Sequence, residues 1–555
     1  MPIVKDRTVV FWGAGATTKL GMPTTAQQNK IFFALSRKDA CCSYRDCLQD
    51  FALDVFGDCF DDVCDLLTLL DDAEAPCVGR ELTGFSSQQF EIIKRHADDL
   101  GADEDTRRNR VVMMRVKYDW ASAMRIIRLQ KNDVEYVDGE EVPSSAFTQR
   151  IYNLLDANIA AGTGIHVFAG DEQLSSFLDV GRLKSAKAAL VMFINLVMAC
   201  AWAKARKSSK YLAPYRQFAD WLAEIRADEA NGQGGNNPAF STSFVSMNFD
   251  PILWWLIKNA DSRYNRSSVY VGQENTPLYL GEDVDQVDLV RPFKISDKSV
   301  SNSVLSECAV RFVLERSEAP KEHCPARYQT VKIYFPHGTP SLKICPCCGK
   351  TTLYQGNKLA DDSESLFPPF FLNSLAWGCE PTGDMSGTKT NGESCKWENG
   401  ELDYIQCQNC GRAIRMCDTE MVMQSGLKSS PSYLLQRIAH NVDNAVMSAR
   451  HIVLMGYSLP PDDGAWIAEL QSRTTRQSEG AFCSVVDFVK GEPERWLYGE
   501  EAHPYCRICP VIERTWGIFG KANVRVNLGG IPMVFKSKKA VFEMLYPQKW
   551  KEKMV

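Results

Sequence analysis

Short apolar runs bounded by glycine or polar residues alternate along the chain with stretches whose apolar residues recur three and four positions apart. The runs read as buried strands and the stretches as amphipathic helices. Thr8-Val9-Val10-Phe11-Trp12 is the first run. It leads into Gly13-Ala14-Gly15-Ala16-Thr17-Thr18, then Gly21-Met22-Pro23, then a helix from about Thr25. From about residue 58 to 230 the pattern is mainly helical. Asp61 to Leu70, Phe90 to Leu100 and Trp120 to Leu129 carry the helical spacing, and 172–227 reads as two or three longer helices. The breaker Asn231 to Pro238, rich in glycine and asparagine, ends this block. Strand-like runs follow at Ser241 to Met247, closing in Asn248-Phe249-Asp250, and at Val331 to Phe335, ending in Pro336-His337-Gly338. His451 to Met455 and Phe482 to Val486 read as two more buried strands with a helix between them, and no internal repeat is visible.

The expected fold class is therefore α/β, opening as nucleotide-binding sheets do with strand, glycine turn and helix. Five segments are expected: a first sheet segment with the glycine loop at 1–57, a helical insertion at 58–235, and a segment with Asn-x-Asp at 236–335. A His-Gly and cysteine module with a long polar loop over 379–400 occupies 336–428, and a final sheet segment with Gly-Tyr-Ser occupies 429–555.

Composition narrows the classes. A net charge of −6 over 555 residues gives no whole-chain basic footprint for nucleic acid. The basic runs at Arg107 to Arg110 and Lys536 to Lys539 read as solvated faces. The window Ala188 to Ala203 is the most apolar but is short of the roughly 20 residues a bilayer demands and contains Asn195. It is expected to be a buried or subunit-packing helix, so a homo-oligomer off the membrane is expected. The opening residues have no signal-peptide pattern, and 20 cysteines then point to reduced thiols and metal ligands in a cytoplasmic protein.

Cys345-Pro-Cys-Cys348-Gly349 and Cys407-Gln-Asn-Cys410-Gly411 share the form Cys-x-x-Cys-Gly. Two such pairs supply the four thiolates of a tetrahedral structural Zn2+ site, with each glycine allowing the tight knuckle. Using Cys347 instead breaks the two-residue spacing. Cys506 and Cys509 have the spacing without a partner pair, and Cys379, Cys395 and Cys417 are unassigned.

The glycine loop alone is common to many nucleotide folds. Its glycines let the backbone approach a pyrophosphate, and the helix that follows offers N–H groups and a positive dipole end. Four further elements follow it in fixed order: Asn248-x-Asp250, His337-Gly338, the cysteine pairs, and Gly456-Tyr457-Ser458. In this order the chain resembles the sirtuin superfamily, over about half its length. The resemblance implies a Rossmann-like parallel sheet with a zinc ribbon. It implies that Gly13, Ala14, Gly15, Ala16 and Thr17 hold the NAD+ pyrophosphate, with Gly21 and Pro23 continuing the loop, and that Gly456, Tyr457 and Ser458 line the adenosine side. Asp487, at a strand end, suits a ribose hydroxyl. Asp250 resembles the carboxylate that holds the nicotinamide carboxamide, Asn248 the residue that orients ribose and water, and His337 the general base. Asn248 and Asp250 also suit capping of a helix from about Pro251, and His337 also suits a strand-end backbone contact.

The pattern departs from the protein-deacylating members at Thr24-Thr25-Ala26, where they carry Asp-Phe-Arg, and at Met247, where they carry Gln. The gap between Asn248 and His337 is also far longer. These departures, with the run Gly456 to Asp463, resemble the sirtuin-like domains of bacterial anti-phage defence proteins. That family implies hydrolysis of NAD+ to nicotinamide and ADP-ribose. It also implies control by an activating partner such as an ATPase, an Argonaute-like protein or a phage component. A protein deacylase and a non-catalytic NAD+ or ADP-ribose sensor are the alternatives.

Overall fold

The computed structural model describes residues 8–38, 42–71, 85–96, 104–168, 175–230, 242–257, 260, 288–290, 332–344, 351–354, 404–406, 413–415, 419–423, 425, 433–460, 463–476, 481–491 and 495–547. Its centre is a seven-stranded sheet. The strands are β1 (Thr8–Trp12), β2 (Thr242–Ser246), β3 (Lys332–Tyr334), β4 (His451–Met455), β5 (Phe482–Val486), β6 (Trp496–Tyr498) and β7 (Val524–Asn527). They lie in the order β6-β7-β5-β4-β1-β2-β3, all parallel except β6, which runs antiparallel to β7. β1, β2, β4 and β5 are buried at every position. That explains their unbroken apolar runs, since a parallel strand covered on both faces has no polar side to alternate with.

The position of β1 decides where the site lies. It pairs with β2 on one side and β4 on the other, so the chain leaves β1 in one direction and returns on its opposite flank. Such a switch in strand order opens a crevice at the carboxyl ends of the strands. The register aligns those ends: Trp12 faces Ser246 and Met455, Val245 faces Tyr334, and Met455 faces Val486. Gly13, Asn248, His337 and Gly456, where four of the motifs begin, each lie within three residues of one of these strand ends.

The helices α1 (Thr25–Ser36) and α2 (Tyr44–Phe56) start on reciprocal capping boxes, Thr24 with Gln27 and Ser43 with Asp46. Both pack against α3 (Val180–Arg206) or its neighbours. The 27-residue α3 is long and apolar enough to cross a membrane, yet 72% of its apolar window is buried inside the protein. Phe193 on α3 meets Phe32, Phe56 and Trp120 with ring centroids 5.2–6.3 Å apart. Its apolar surface is therefore core, as expected of a buried helix. α4 is Ser209–Ala230. Within the same block the structure adds two short hairpins that the periodicity does not predict, Val134–Val137 with Glu140–Pro143 and Ile165–Phe168 with Ser175–Leu178.

Candidate functional site

The first glycine loop folds as two short 3-10 turns, Ala14–Ala16 and Thr18–Leu20, before α1 begins at Thr25. Gly21 closes the second turn at φ +82°, a left-handed conformation that glycine adopts without strain. Gly13 and Gly456 are required for a different reason. A Cβ on Gly13 would lie 2.5 Å from Gly456 O, and one on Gly456, itself at φ +57°, would lie 2.1 Å from Ala16 N. The two loops interlock through these contacts, with Gly13 N donating to Met455 O and Gly15 N to Gly456 O, both at 2.9 Å.

This packing revises one expectation. The N–H groups of Gly13, Gly15, Ala16 and Thr17 each donate to a backbone carbonyl within these loops. In this conformation the loop does not present those four donors to a phosphate. The N-terminus of α1 is likewise occupied by its Thr24–Gln27 capping box. Gly15, Lys19, Gly21 and Ser458 are exposed, while Pro23 is buried.

At the end of β2, Asn248 and Asp250 join the loop in one hydrogen-bonded chain. Asn248 Nδ2 donates to Gly13 O at 3.0 Å and to Thr17 Oγ1 at 3.3 Å, and Thr17 Oγ1 in turn reaches Asp250 Oδ2 at 3.4 Å. Asp250 Oδ1 accepts from Ile252 N at 3.2 Å, which is also the bond of a helix cap. Capping and site-building thus coexist in one residue. Burial raises the Asp250 carboxyl to about 6, against the pull of its bonds from Ile252, Thr17 and Asn248. A carboxyl poised near neutrality in a strand-end crevice marks a candidate functional group.

His337 ends the turn after β3. Its carbonyl accepts from Val422 N at 2.9 Å, and Gly338 N closes the turn onto Phe335 O. Its ring lies 6.5 Å from that of Phe249, between Asn248 and Asp250. Its Nε2 is 3.6 Å from Asp463 Oδ1, and Asp463 Oδ2 accepts from Tyr457 OH at 2.6 Å. The sequence reading missed Asp463, which stood in the Gly456 to Asp463 run without a role. It also placed Tyr457 on the adenosine side. The Tyr457 ring is instead buried against Phe11, with centroids 5.8 Å apart, and its hydroxyl is committed to Asp463.

On the β5 side, Asp487 is engaged by its own chain. Its Oδ1 accepts from Phe488 N at 2.8 Å and its Oδ2 from Cys509 Sγ at 3.2 Å. A ribose hydroxyl would compete with the Cys509 thiol, whose acidity burial and Asp487 both suppress. From the helical block, Tyr215 OH on α4 donates to Ala16 O at 2.6 Å, a contact with no signal in the sequence.

Cys345, Cys348, Cys407 and Cys410 lie outside the described residues. The strands that flank them are described. Gly338–Ile344 pairs antiparallel with Thr351–Tyr354, closing at Ile344 opposite Thr351, and Tyr404–Gln406 pairs with Ala413–Arg415, closing at Gln406 opposite Ala413. Each cysteine pair therefore belongs to the connection of one hairpin, and the two hairpins adjoin. Among the described residues no group of three or more His, Cys, Asp or Glu side chains is placed to hold a metal, Cys506 and Cys509 included.

The fold and its strand-end residues define an α/β protein with a mostly parallel sheet and a buried polar cluster at the carboxyl edge beside β1. Compared with protein-family models and with curated proteins, the chain matches none.

Proposed function

We propose that this chain is a sirtuin-like NAD+ hydrolase, cleaving NAD+ to nicotinamide and ADP-ribose. One observation carries the reading. Gly13 to Thr17, Asn248 to Asp250, His337-Gly338 and Gly456 to Ser458, scattered in sequence, adjoin the carboxyl ends of four neighbouring parallel strands. Asn248, Thr17 and Asp250 there form one buried polar chain.

Departure of nicotinamide from C1′ of the ribose passes through a cation-like transition state, comparable to glycoside cleavage. Nicotinamide is a good leaving group, so the site needs a fixed geometry and a base more than a strong acid. Asp250 accepts the carboxamide N–H, which orients the ring. Asn248, held by Gly13 and Thr17, positions the ribose and the attacking water. His337 takes the proton of that water as its oxygen bonds to C1′, and the C1′–N electron pair leaves with nicotinamide.

Hydrolysis is favoured over deacylation by the use of Thr24. Where deacylases carry an acid, Thr24 Oγ1 accepts from Gln27 N and the Thr24 N–H donates to Gln27 Oε1, so this position is spent on capping α1. A sensor reading draws on the commitment of the loop N–H groups. A structural Zn2+ held by Cys345, Cys348, Cys407 and Cys410, two from the connection of each hairpin, would hold the two hairpins together. Depletion of NAD+ in anti-phage defence, homo-oligomerisation, a cytoplasmic setting and release by a protein partner belong to the same proposal.

The test is cleavage in H2 18O. Hydrolysis predicts one labelled oxygen at C1′ of ADP-ribose without any acylated peptide. Turnover that demands an acylated peptide and yields O-acyl-ADP-ribose would replace this reading with the deacylase.

A further inference from the structure

We infer that Asp463 is the residue that orients the His337 imidazole and sets which of its nitrogens is basic. The inference rests on the hydrolase reading for its consequence in turnover, and on geometry for the pairing itself. His337 and Asp463 are both buried, with side chains 10% and 7% exposed, and they face each other with Nε2 and Oδ1 at 3.6 Å. That distance suits an ion pair with the protonated ring. Catalytic hydrogen bonds in ligand-free sites are often long and tighten when substrate is bound.

One hydrogen bond to the carboxylate, one from the backbone of Asp463 and an adjacent helix N-terminus hold the residue in place. Tyr457 OH donates to its second oxygen at 2.6 Å, and Asp463 N donates to Pro460 O at 3.0 Å, in a turn where Leu459 takes φ +50°. Asp463 also immediately precedes the helix Gly464–Arg476, whose N-terminal dipole end favours a negative charge. Tyr457 is itself held by stacking on Phe11 of β1. The carboxylate is thus tied to β1 and β4 on one side and to His337 of the β3 turn on the other.

A carboxylate beside Nε2 holds the proton on that nitrogen and leaves Nδ1 with the lone pair. Nδ1 then receives the proton of the attacking water, and Asp463 stabilises the resulting imidazolium without taking the proton itself. Asp463 acts through His337 and is a positioning residue.

The experiment uses the full chain labelled with 15N-histidine, with the His337 ring signals assigned by their loss in His337→Gln. The native chain is expected to show His337 in the Nε2–H tautomer. In Asp463→Asn those ring shifts should move to a different tautomer mixture, with the unfolding temperature little changed. With NAD+ as the probe, kcat should fall on the order of 100-fold or more while KM changes little. Tyr457→Phe, which removes only the hydroxyl, should move both readouts in the same direction by less. Unchanged His337 ring shifts in Asp463→Asn would overturn the inference, whatever happens to turnover. If the native chain alone cleaves no NAD+, the ring shifts still decide the pairing.

Discussion

Asn248 Nδ2 donates to Gly13 O across 3.0 Å, tying the end of β2 to the first residue of the loop that follows β1. The bond fixes the loop and aims the amide at the same time, because the second Nδ2 contact, to Thr17, leads on to Asp250. Structure and proposed chemistry therefore share one side chain. Asn248→Ala should reduce NAD+ cleavage by at least about 100-fold and destabilise the chain by roughly 1 kcal/mol, since the Gly13 carbonyl loses one of its two donors and keeps only Ala16 N. Product analysis and urea unfolding read the two effects separately.

The interlocked glycines give a prediction independent of function. Gly456→Ala would place a Cβ 2.1 Å from Ala16 N at a backbone φ of +57°. A cost of about 2–4 kcal/mol is expected from strain and displacement. Gly464→Ala meets nothing within 4 Å and should change stability by less than about 0.5 kcal/mol. Thermal unfolding of the pair checks the contrast.

Asp250 predicts the direction of a pH effect. Burial raises its carboxyl from 3.8 to about 6, so between those values the folded chain binds the proton more tightly than the unfolded one. Its contribution to stability is therefore greatest at low pH, declines as pH rises through that window, and stays low above it. The loss is on the order of 3 kcal/mol. Asp250→Asn should remove this decline, which denaturant titrations at pH 4, 5, 6 and 7 would show as a flatter profile.

Tyr215 links the helical block to the loop. Removing its hydroxyl in Tyr215→Phe leaves the buried Ala16 carbonyl without that donor, at a cost of about 1 kcal/mol. Loosening the loop should raise KM for NAD+ more than it lowers kcat, as steady-state kinetics would show.

The cysteine pairs predict one Zn2+ per chain by elemental analysis, lost in Cys345→Ser and in Cys407→Ser. Chelation should lower the unfolding temperature of the native chain. A metal-free chain of unchanged stability would remove zinc from the account.

The central strands were legible because burial on both faces leaves a pure apolar signature. Thr8–Trp12, His451–Met455 and Phe482–Val486 fall where their runs predict. β7 was not, because Arg525 interrupts its apolar pattern. That arginine is fully buried and is accommodated by Ser484 Oγ and Glu543, partners that only the fold brings near. The hairpin Val134–Val137 with Glu140–Pro143 was missed for the opposite reason: it is largely exposed and has no apolar face to read. At the site, the strand-end positions of Asn248, Asp250 and His337 were readable from local patterns. The Asp463 pairing was not, since it joins the turn after β3 to the one after β4, and no periodicity encodes that proximity.

The most direct test of the account is to incubate the purified chain, in excess over NAD+, and quantify nicotinamide and ADP-ribose beside His337→Ala and Asn248→Ala. The account predicts equal amounts of both products from the native chain and neither from the two variants. Cleavage that survives both substitutions would contradict it.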